Sequence, residues 1–415
     1  MTVMRTITFM LSIFIVGMVE LVVAGILSLM STDLQISEAW IGQLVTIYAF
    51  TFAITGPILV KLTERFSPKP VLLITIIAFI LGNFMIAIAP NFTMIVIGRI
   101  ISSAAAALIV VKILAITVIL AKPQHRGRML GLVYTGFSGA NVFGVPIGTL
   151  IGDWIGWRYT FGMIIFVAII AGILLSIYLP KQLQTNYETT QDYRMKIRHK
   201  SEVIKLLSIT FIFLTANSVA YIYINPLILS GHHTIQFVSL ALLIIGVAGV
   251  FGTSIGGFFT DILSFKKWLL ISGTLFTIMM LILNQLWTYS ILLLIALFVW
   301  HLIQWSTNPA VQSGLIEQVE GDNSQIMSWN MSALNAGIGF GALLGGLIVA
   351  HMNLYATIYV AMGIGILGLL VIFSLKNRNL KTIEHYKQSP SSIENTMGFL
   401  ALSLLLSQKM RDLHM

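Results

Sequence analysis

The stretch GANVFGVPIGTLIGDWIGWRYTF, residues 139–161, interrupts what its neighbours would otherwise make one long apolar helix. Its first ten residues hold three glycines and a proline. Gly144, Gly148 and Gly152 recur at every fourth position, so they share one drifting helical face on which another helix can approach closely. Pro146 sits among them, removes a backbone donor and bends the helix there. The run GDWIGWR, 152–158, then supplies charge and turn residues before apolar residues resume. Helix, turn and helix of this composition read as a hairpin that crosses a membrane twice.

The rest of the chain follows the same plan. Of its 415 residues 57% are hydrophobic and 9% charged, with a mean hydropathy of +0.93, whereas a soluble domain carries about 25% charged residues. No water-soluble surface can be built from that. Apolar runs of about 20 residues, each able to cross a hydrocarbon layer of about 30 Å as a helix, are predicted at 7–29, 41–60, 70–89, 93–120, 129–151 and 158–179. A second set follows at 206–229, 237–259, 267–286, 288–309, 326–350 and 354–375, which makes twelve spans. The first is too long for a cleaved signal peptide, contains Glu20 and lacks a small-residue cleavage site.

The net charge of +9 is a topology signal. With the first residues inside, 21 of the 24 Lys and Arg fall on that side; Arg158 is alone on the other, and Arg99 and Lys112 lie within spans. By the positive-inside rule both termini are expected in the cytoplasm, and no nucleic-acid partner is implied. The chain has no cysteine, which removes disulfides, thiolate metal sites and cysteine nucleophiles.

Between Pro180 and Lys205 the composition turns polar, splitting the chain into a first bundle at 1–180, a cytoplasmic linker at 181–205, a second bundle at 206–376 and a cytoplasmic tail at 377–415. The halves echo one another. GPILVKLTERFSPKP after the second span and GGFFTDILSFKK after the eighth each run from small residues through an acid, Glu64 or Asp261, to basic residues. Such repeats are a property of two-bundle secondary transporters. The expected fold is therefore all-α: twelve transmembrane helices in two six-helix bundles related by pseudo-two-fold symmetry. In the tail, MGFLALSLLL at 397–406 is too short to cross and is compatible with an interfacial helix or with no fixed structure.

GANVFGVPIG followed by GDWIGWRYTF resembles the fifth-span antiporter motif of the major facilitator superfamily, specifically its twelve-span drug:proton antiporters, which include arabinose-efflux-like permeases. FIVGMVELVVAGIL with STDLQIS resembles that group's first span and loop, Gly98–Arg99 its fourth-span motif, KPQHRGRMLGLVYTG its 4–5 loop and SWNMSALNAGIGFGALLGG its eleventh span. The resemblance implies that Gly144, Pro146 and Gly148 form a packed, flexing helix that seals the two bundles and favours export. It also implies a gating role for Glu64, Arg65 and Lys69 after the second span and for Asp261 after the eighth; here Ser67 and Pro68 stand where the family motif has glycine and arginine.

Three charged residues lie well inside spans: Glu20, Arg99 and Lys112. A charge at a helix centre costs about 2.5–3.5 kcal/mol on insertion scales, so each needs a partner or water. Glu20 and Arg99 sit at similar depth, and an acid facing an arginine across a wet cavity trades between protonated and charged forms as its surroundings change. The bland alternative is a static ion pair. Lys112 lies nearer the cytoplasmic end, about 140° around the helix from Arg99, and reads as a snorkelling side chain, with a cavity role as the alternative.

Uncharged polar residues form stripes at helical spacing: Tyr134, Ser138 and Asn141 in the fifth span, Asn217, Tyr221 and Asn225 in the seventh, and His301, Gln304 and Asn308 in the tenth. Such stripes either glue helices or face water; the resemblance implies a substrate cavity, with Trp300 and Trp305 as aromatic walls. His301 is a second candidate proton carrier, since imidazole titrates near neutrality in water, although a lone buried histidine is more often structural. His232 and His233 are adjacent and lack metal-ligand spacing. GIGFG at 337–341 follows no strand and reads as packing glycine.

The function expected is secondary active export of a small molecule by proton antiport with alternating access, by a monomer in a bacterial inner or cytoplasmic membrane. The alternative is a dedicated exporter of one polar metabolite, a sugar or small anionic chelator, in place of a multidrug pump. No cofactor, metal or catalytic constellation is expected, because no convergent Ser/His, paired-acid or metal-ligand set lies in the spans. A passive scaffold would not need inward polar stripes.

Overall fold

The computed structural model describes residues 2–63, 65–121, 126–180, 195–320 and 324–376. Glu64, the 4–5 loop at 122–125, most of the linker and the tail with its 397–406 segment lie outside the described residues. Twelve membrane-crossing helical segments are present, as expected. The first bundle holds α1 (Val3–Leu34), α2 (Glu38–Thr63), α3 (Pro68–Ala87) and α4 (Phe92–Leu120). Its fifth crossing consists of α5 (Arg126–Gly139), a π-helical turn (Ala140–Gly144) and α6 (Val145–Ile155), followed by α7 (Trp157–Tyr178). The second bundle holds α8 (Lys200–Tyr221), the short α9 (Ile224–Ser230), α10 (Ile235–Leu263), α11 (Phe265–Leu283), α12 (Ser290–Glu317), α13 (Ser324–His351) and α14 (Ala356–Phe373).

Most helices overrun the predicted hydrophobic spans by several residues at one or both ends, because hydropathy marks the hydrocarbon and not the hydrogen-bonded ladder. Two crossings depart from a simple rod. The seventh is broken at Ile222–Tyr223, between α8 and α9. The fifth contains the π turn, in which the Val145 amide bonds back to the Ala140 carbonyl. Pro146 accounts for the site: it has no amide to offer the Val142 carbonyl, and its ring pushes that carbonyl away, so the ladder widens beside it.

Large apolar side chains such as Ile74, Ile169, Ile278 and Leu370 are exposed on the outer faces of the helices, where lipid rather than water is the solvent. Trp40, Trp154, Tyr159, Tyr289 and Tyr355 are exposed near the end carrying the helix 1–2, 5–6, 9–10 and 11–12 turns, the aromatic belt of a membrane interface. At the opposite, basic end both halves repeat one clamp. Arg5 donates to the Tyr178 carbonyl (3.0 Å), and Lys69 donates to Ser176 (2.6 Å) and Leu179 (2.7 Å), at the C-terminus of α7. Lys205 donates to the Ser374 carbonyl (2.7 Å), and Lys266 to the Phe373 and Leu375 carbonyls, at the C-terminus of α14. Cations there satisfy orphan carbonyls and the negative end of the helix dipole.

Two short strands, β1 (Lys196–Ile197) and β2 (Val319–Glu320), pair antiparallel. Arg198 adds a bond to the Gln318 carbonyl (2.8 Å) and an ion pair with Glu320 (2.8 Å). The final residues of the linker are thereby stitched to the segment after α12.

Candidate transport site

In the first bundle, Glu20 lies midway along α1 and is 4% exposed. The carbonyl of its neighbour Val19 accepts from Arg99 on α4, whose guanidinium lies over the Tyr48 ring of α2. These three helices bring together one carboxylate, one guanidinium and one phenol, with the buried hydroxyls of Ser102 and Ser103 beside them, Ser103 donating to the Tyr48 carbonyl (2.6 Å). Arg99 is fully buried, donates through Nη1 to the Val19 carbonyl (2.7 Å) and through Nε toward the Leu44 carbonyl (3.4 Å), and lies 4.8 Å from the centre of the Tyr48 ring. This corrects the expectation of an arginine meeting the acid across open water. Two of the guanidinium nitrogens are directed at the backbones of α1 and α2, Nη2 is buried with no hydrogen-bond partner, and no Glu20–Arg99 ion pair within 4 Å is among those of the described residues.

Tyr48 was not anticipated from the sequence. A single tyrosine in an apolar span is indistinguishable there from a packing or interface aromatic, and only the fold sets it beneath the arginine. Lys112 reaches toward the Thr63 carbonyl at the C-terminus of α2 (3.4 Å), in keeping with a lysine directed to the cytoplasmic interface.

In the second bundle, Asn217, Gln304, Trp305 and Asn308 line a small pocket of about 20 Å³ between α8, α12 and α13, with Thr210, Thr307 and an apolar wall of Ile209, Leu214, Val311 and Leu334. Thr210 donates to Asn330 on α13 (2.7 Å), a buried pair that carried no spacing signal in the sequence. Trp300 and His301 lie one turn farther toward the outside. The His301 ring is 4.3 Å from that of Trp300 and 5.3 Å from that of Tyr221 on α8, and its Nδ1 faces the Leu297 carbonyl at 3.3 Å. The structure thus groups His301 with the second-bundle stripe and apart from the Glu20 cluster.

Asn225 does not continue that stripe. The break at Ile222–Tyr223 turns it out of the α8 register, and its Nδ2 donates to the Gly25 carbonyl of the other bundle. In the fifth crossing Tyr134 stacks on Phe137 (5.6 Å), Ser138 is half-buried, and Asn141 sits in the π turn with its amide directed at the Phe137 carbonyl (3.4 Å).

The glycine row has a different neighbour from the one expected. Gly144 faces Phe14 and Met18, Gly148 faces Val22, and Gly152 faces Ile26 and Leu29, all on α1 of the same bundle. Contact with the other bundle comes from a different face: the backbone at Asn141 and Val142 abuts Gly246 of α10, and the Pro146 carbonyl accepts from Ser239 (2.9 Å).

The hydrogen bonds that join the bundles through Asn225, Ser239, Tyr223, Gln43 and Gln236 all lie in the outer half of the molecule. Besides Asn225 to Gly25 and Ser239 to Pro146, Tyr223 donates to the Ala39 carbonyl (3.4 Å), Gln43 reaches the Ala342 and Leu343 carbonyls (3.4 and 3.5 Å), and Gln236 donates to Asp153 (2.6 Å). Glycines make room for these groups: Gly42 and Gly346 flank the Tyr223 hydroxyl, and Gly25 meets Thr149 and Leu242. The outer side is sealed.

The remaining predicted motif residues lie at the basic end. Arg65 is exposed, Lys69 serves the α7 clamp within its own bundle, and Asp261 lines an open groove between the inner ends of α10 and α12.

Two six-helix bundles facing each other across a buried polar middle, joined by reversible contacts on one side, define a membrane transporter of the two-bundle class. The chain belongs to the major facilitator superfamily, whose family model matches residues 9–204 and 206–410. It is similar to two uncharacterized MFS-type transporters of Bacillus subtilis (strain 168): YbcL, 31% identical over 87% of this chain and 93% of that protein, and YtbD, 29% identical over 87% and 92%. Among solved structures it resembles a D-xylose-proton symporter (TM-score 0.73, 16% identity, covering 90% of this chain and 98% of that one). It also resembles a bacterial homolog of the human lysosomal transporter Spinster (TM-score 0.72, 12% identity, 89% and 95%). At these identities the likeness concerns the fold. The protein is a multi-pass transporter of the cell membrane.

Proposed function

We propose that the protein is a proton-coupled exporter of the drug:proton antiporter kind, which admits a proton from outside as cargo leaves. The observation that carries this reading is Glu20, the one acid buried at mid-span among the described residues, on the helix whose Val19 carbonyl holds Arg99 over Tyr48. A carboxyl group in such a place has to be neutral or compensated whenever the bundle is dry, and it ionises when a path to water opens. The fixed Arg99 supplies the compensating charge. Proton loss toward the cytoplasm and proton gain from outside then bias the two facing states, and the seal formed by Tyr223, Asn225 and Ser239 is the element that opens when the molecule turns outward. The direction, export, is supported by the resemblance of the interrupted fifth crossing to the antiporter motif. Arg65, Lys69 and Asp261 contribute to the inner rim, Lys69 by bracing α7.

Transport in vesicles with an imposed pH gradient tests the scheme. Glu20→Gln is expected to abolish gradient-driven accumulation while leaving cargo counterflow in place. Gradient-driven transport that survives the substitution removes Glu20 from the proton path.

A further inference from the structure

The corner between α10 and α11 is a single residue, Ser264, which ends one helix and begins the next. Its backbone lies at φ 80° and ψ 153°, a region that glycine alone occupies freely, because a Cβ crowds the neighbouring backbone there. The chain makes another one-residue corner of this kind between α6 and α7, and there it uses Gly156, at φ 110° and ψ 144°. Serine at 264 is therefore strained, and its surroundings hold it so. Its amide continues the α10 ladder to the Thr260 carbonyl (3.0 Å), and Phe259 stacks on Trp268 across the corner at 4.6 Å. The Trp268 indole donates to the Ser306 carbonyl of α12 (3.1 Å), and the Phe265 ring lies over Gly314 of the same helix.

The first bundle carries the equivalent segment in relaxed form. Lys69 follows Glu64 by five residues, as Lys266 follows Asp261, and both lysines close the last helix of their own bundle. That register sets Ser67 opposite Ser264. Ser67 lies at φ −56° and ψ 134°, ordinary extended backbone, because Pro68 bars the residue before it from helical angles. Accordingly α2 stops at Thr63, and the Phe66 amide turns back to the Thr63 carbonyl (3.2 Å). By contrast α10 stays wound through Asp261, Ile262 and Leu263. The second bundle thus keeps most of one further helical turn and concentrates the change of direction in Ser264. Phe265 follows it in place of a proline, so the relaxed form is open to this segment too. Space is present for the change: a Cβ on Gly257 would meet nothing within 4 Å, and Asp261 is exposed on the groove beside α12.

We propose that the last turn of α10 is a conformational switch, wound with Ser264 strained while the inner side is open, and unwound like its first-bundle counterpart when the inner side closes. Unwinding carries Asp261 out of the helix and off the groove wall. Pro68 denies the first bundle this motion, so the two inner turns are unequal: one is fixed, and the other is a spring that favours closure of the inner side. Serine in place of glycine sets the strength of that spring, whatever the cargo and whatever drives its transport.

Hydrogen exchange of the full chain in detergent tests the switch. Cysteines replace Ser37 and Met352, exposed at the outer ends of the two bundles, and a bifunctional maleimide bridges them to hold the outer side shut. Bridging is expected to slow exchange of the amides at 261–264 about tenfold, in keeping with the size of such backbone strain. Ser264→Gly, which relieves the strain, is expected to exchange slowly even without the bridge. Ser264→Ala keeps the Cβ and is expected to behave as the wild type. Ser264→Pro, barred from φ 80°, is expected to exchange fast at 261–263 and to bridge poorly; should it fail to fold, the glycine and alanine variants decide. Exchange that ignores the bridge shows a static corner and overturns the proposal, as does an alanine variant that matches the glycine one.

Discussion

Gly25 illustrates how much a single position decides. Its carbonyl accepts from Asn225 of the other bundle, and a Cβ there would run into the Thr149 hydroxyl and lie 3.0 Å from Leu242. Overpacking at such a site costs about 1–3 kcal/mol; the Thr149 clash lies within the first bundle and is present in either state, whereas the Leu242 contact and the Asn225 bond belong to the closed outer side. Gly25→Val is therefore expected to shift the protein toward its outward-facing state by about tenfold or more. The chain has no cysteine, so spin labels placed through Gln35→Cys and His232→Cys report the outer separation directly, and an unchanged distance distribution refutes the prediction. At this scale the sequence was legible where physics makes a residue expensive. Glu20 and Arg99 stood out because intramembrane charge is costly. Tyr48, Tyr223 and Gly25 did not, because an aromatic or a glycine in an apolar span costs nothing until the fold gives it a neighbour.

At the scale of the helical element, the fifth crossing answers why its apolar run is interrupted. Gly144, Gly148 and Gly152 dock it on α1, while Pro146 opens a π turn whose neighbourhood meets α10. The two features act on different partners, and a linear motif does not separate them. Pro146→Ala restores the missing amide and favours a regular ladder, whose interruption by proline costs about 3 kcal/mol in an ordinary helix. The variant is expected to melt at a higher temperature in detergent but to transport more slowly, because the Pro146 carbonyl is drawn back from Ser239. A lower melting temperature with normal transport contradicts this account. Helix number and placement were readable from hydropathy alone. The π turn and the break at Ile222–Tyr223 were not, since hydropathy records composition and is blind to which carbonyl an amide reaches; hence Asn225 was read as the end of a stripe when it is a link between bundles.

At the scale of the whole molecule, the asymmetry of the contacts between bundles predicts sidedness. The hydrogen bonds of Tyr223, Asn225, Ser239, Gln43 and Gln236 close the outer half. Asn308, toward the inner end of α12 and on the pocket wall, is expected to be reached from the cytoplasm. In Asn308→Cys, a membrane-impermeant maleimide should label inside-out vesicles and spare right-side-out cells; the opposite pattern would mean that the resting state faces outward. The repeat visible after the second and eighth spans also acquires a meaning at this scale: Lys69 and Lys266 each close off the last helix of their own half, so each bundle is braced internally before it moves against the other.

The outer seal has one more consequence. Apart from Gln236 and Asp153, its hydrogen bonds end on main-chain oxygens, those of Gly25, Ala39, Pro146, Ala342 and Leu343. Every residue but its shape is interchangeable as such an acceptor, so one lip of the gate is free to drift in side-chain identity while it still receives Tyr223, Asn225 and Ser239. Retuning how readily the transporter opens then falls to the donors and to the glycines that admit them.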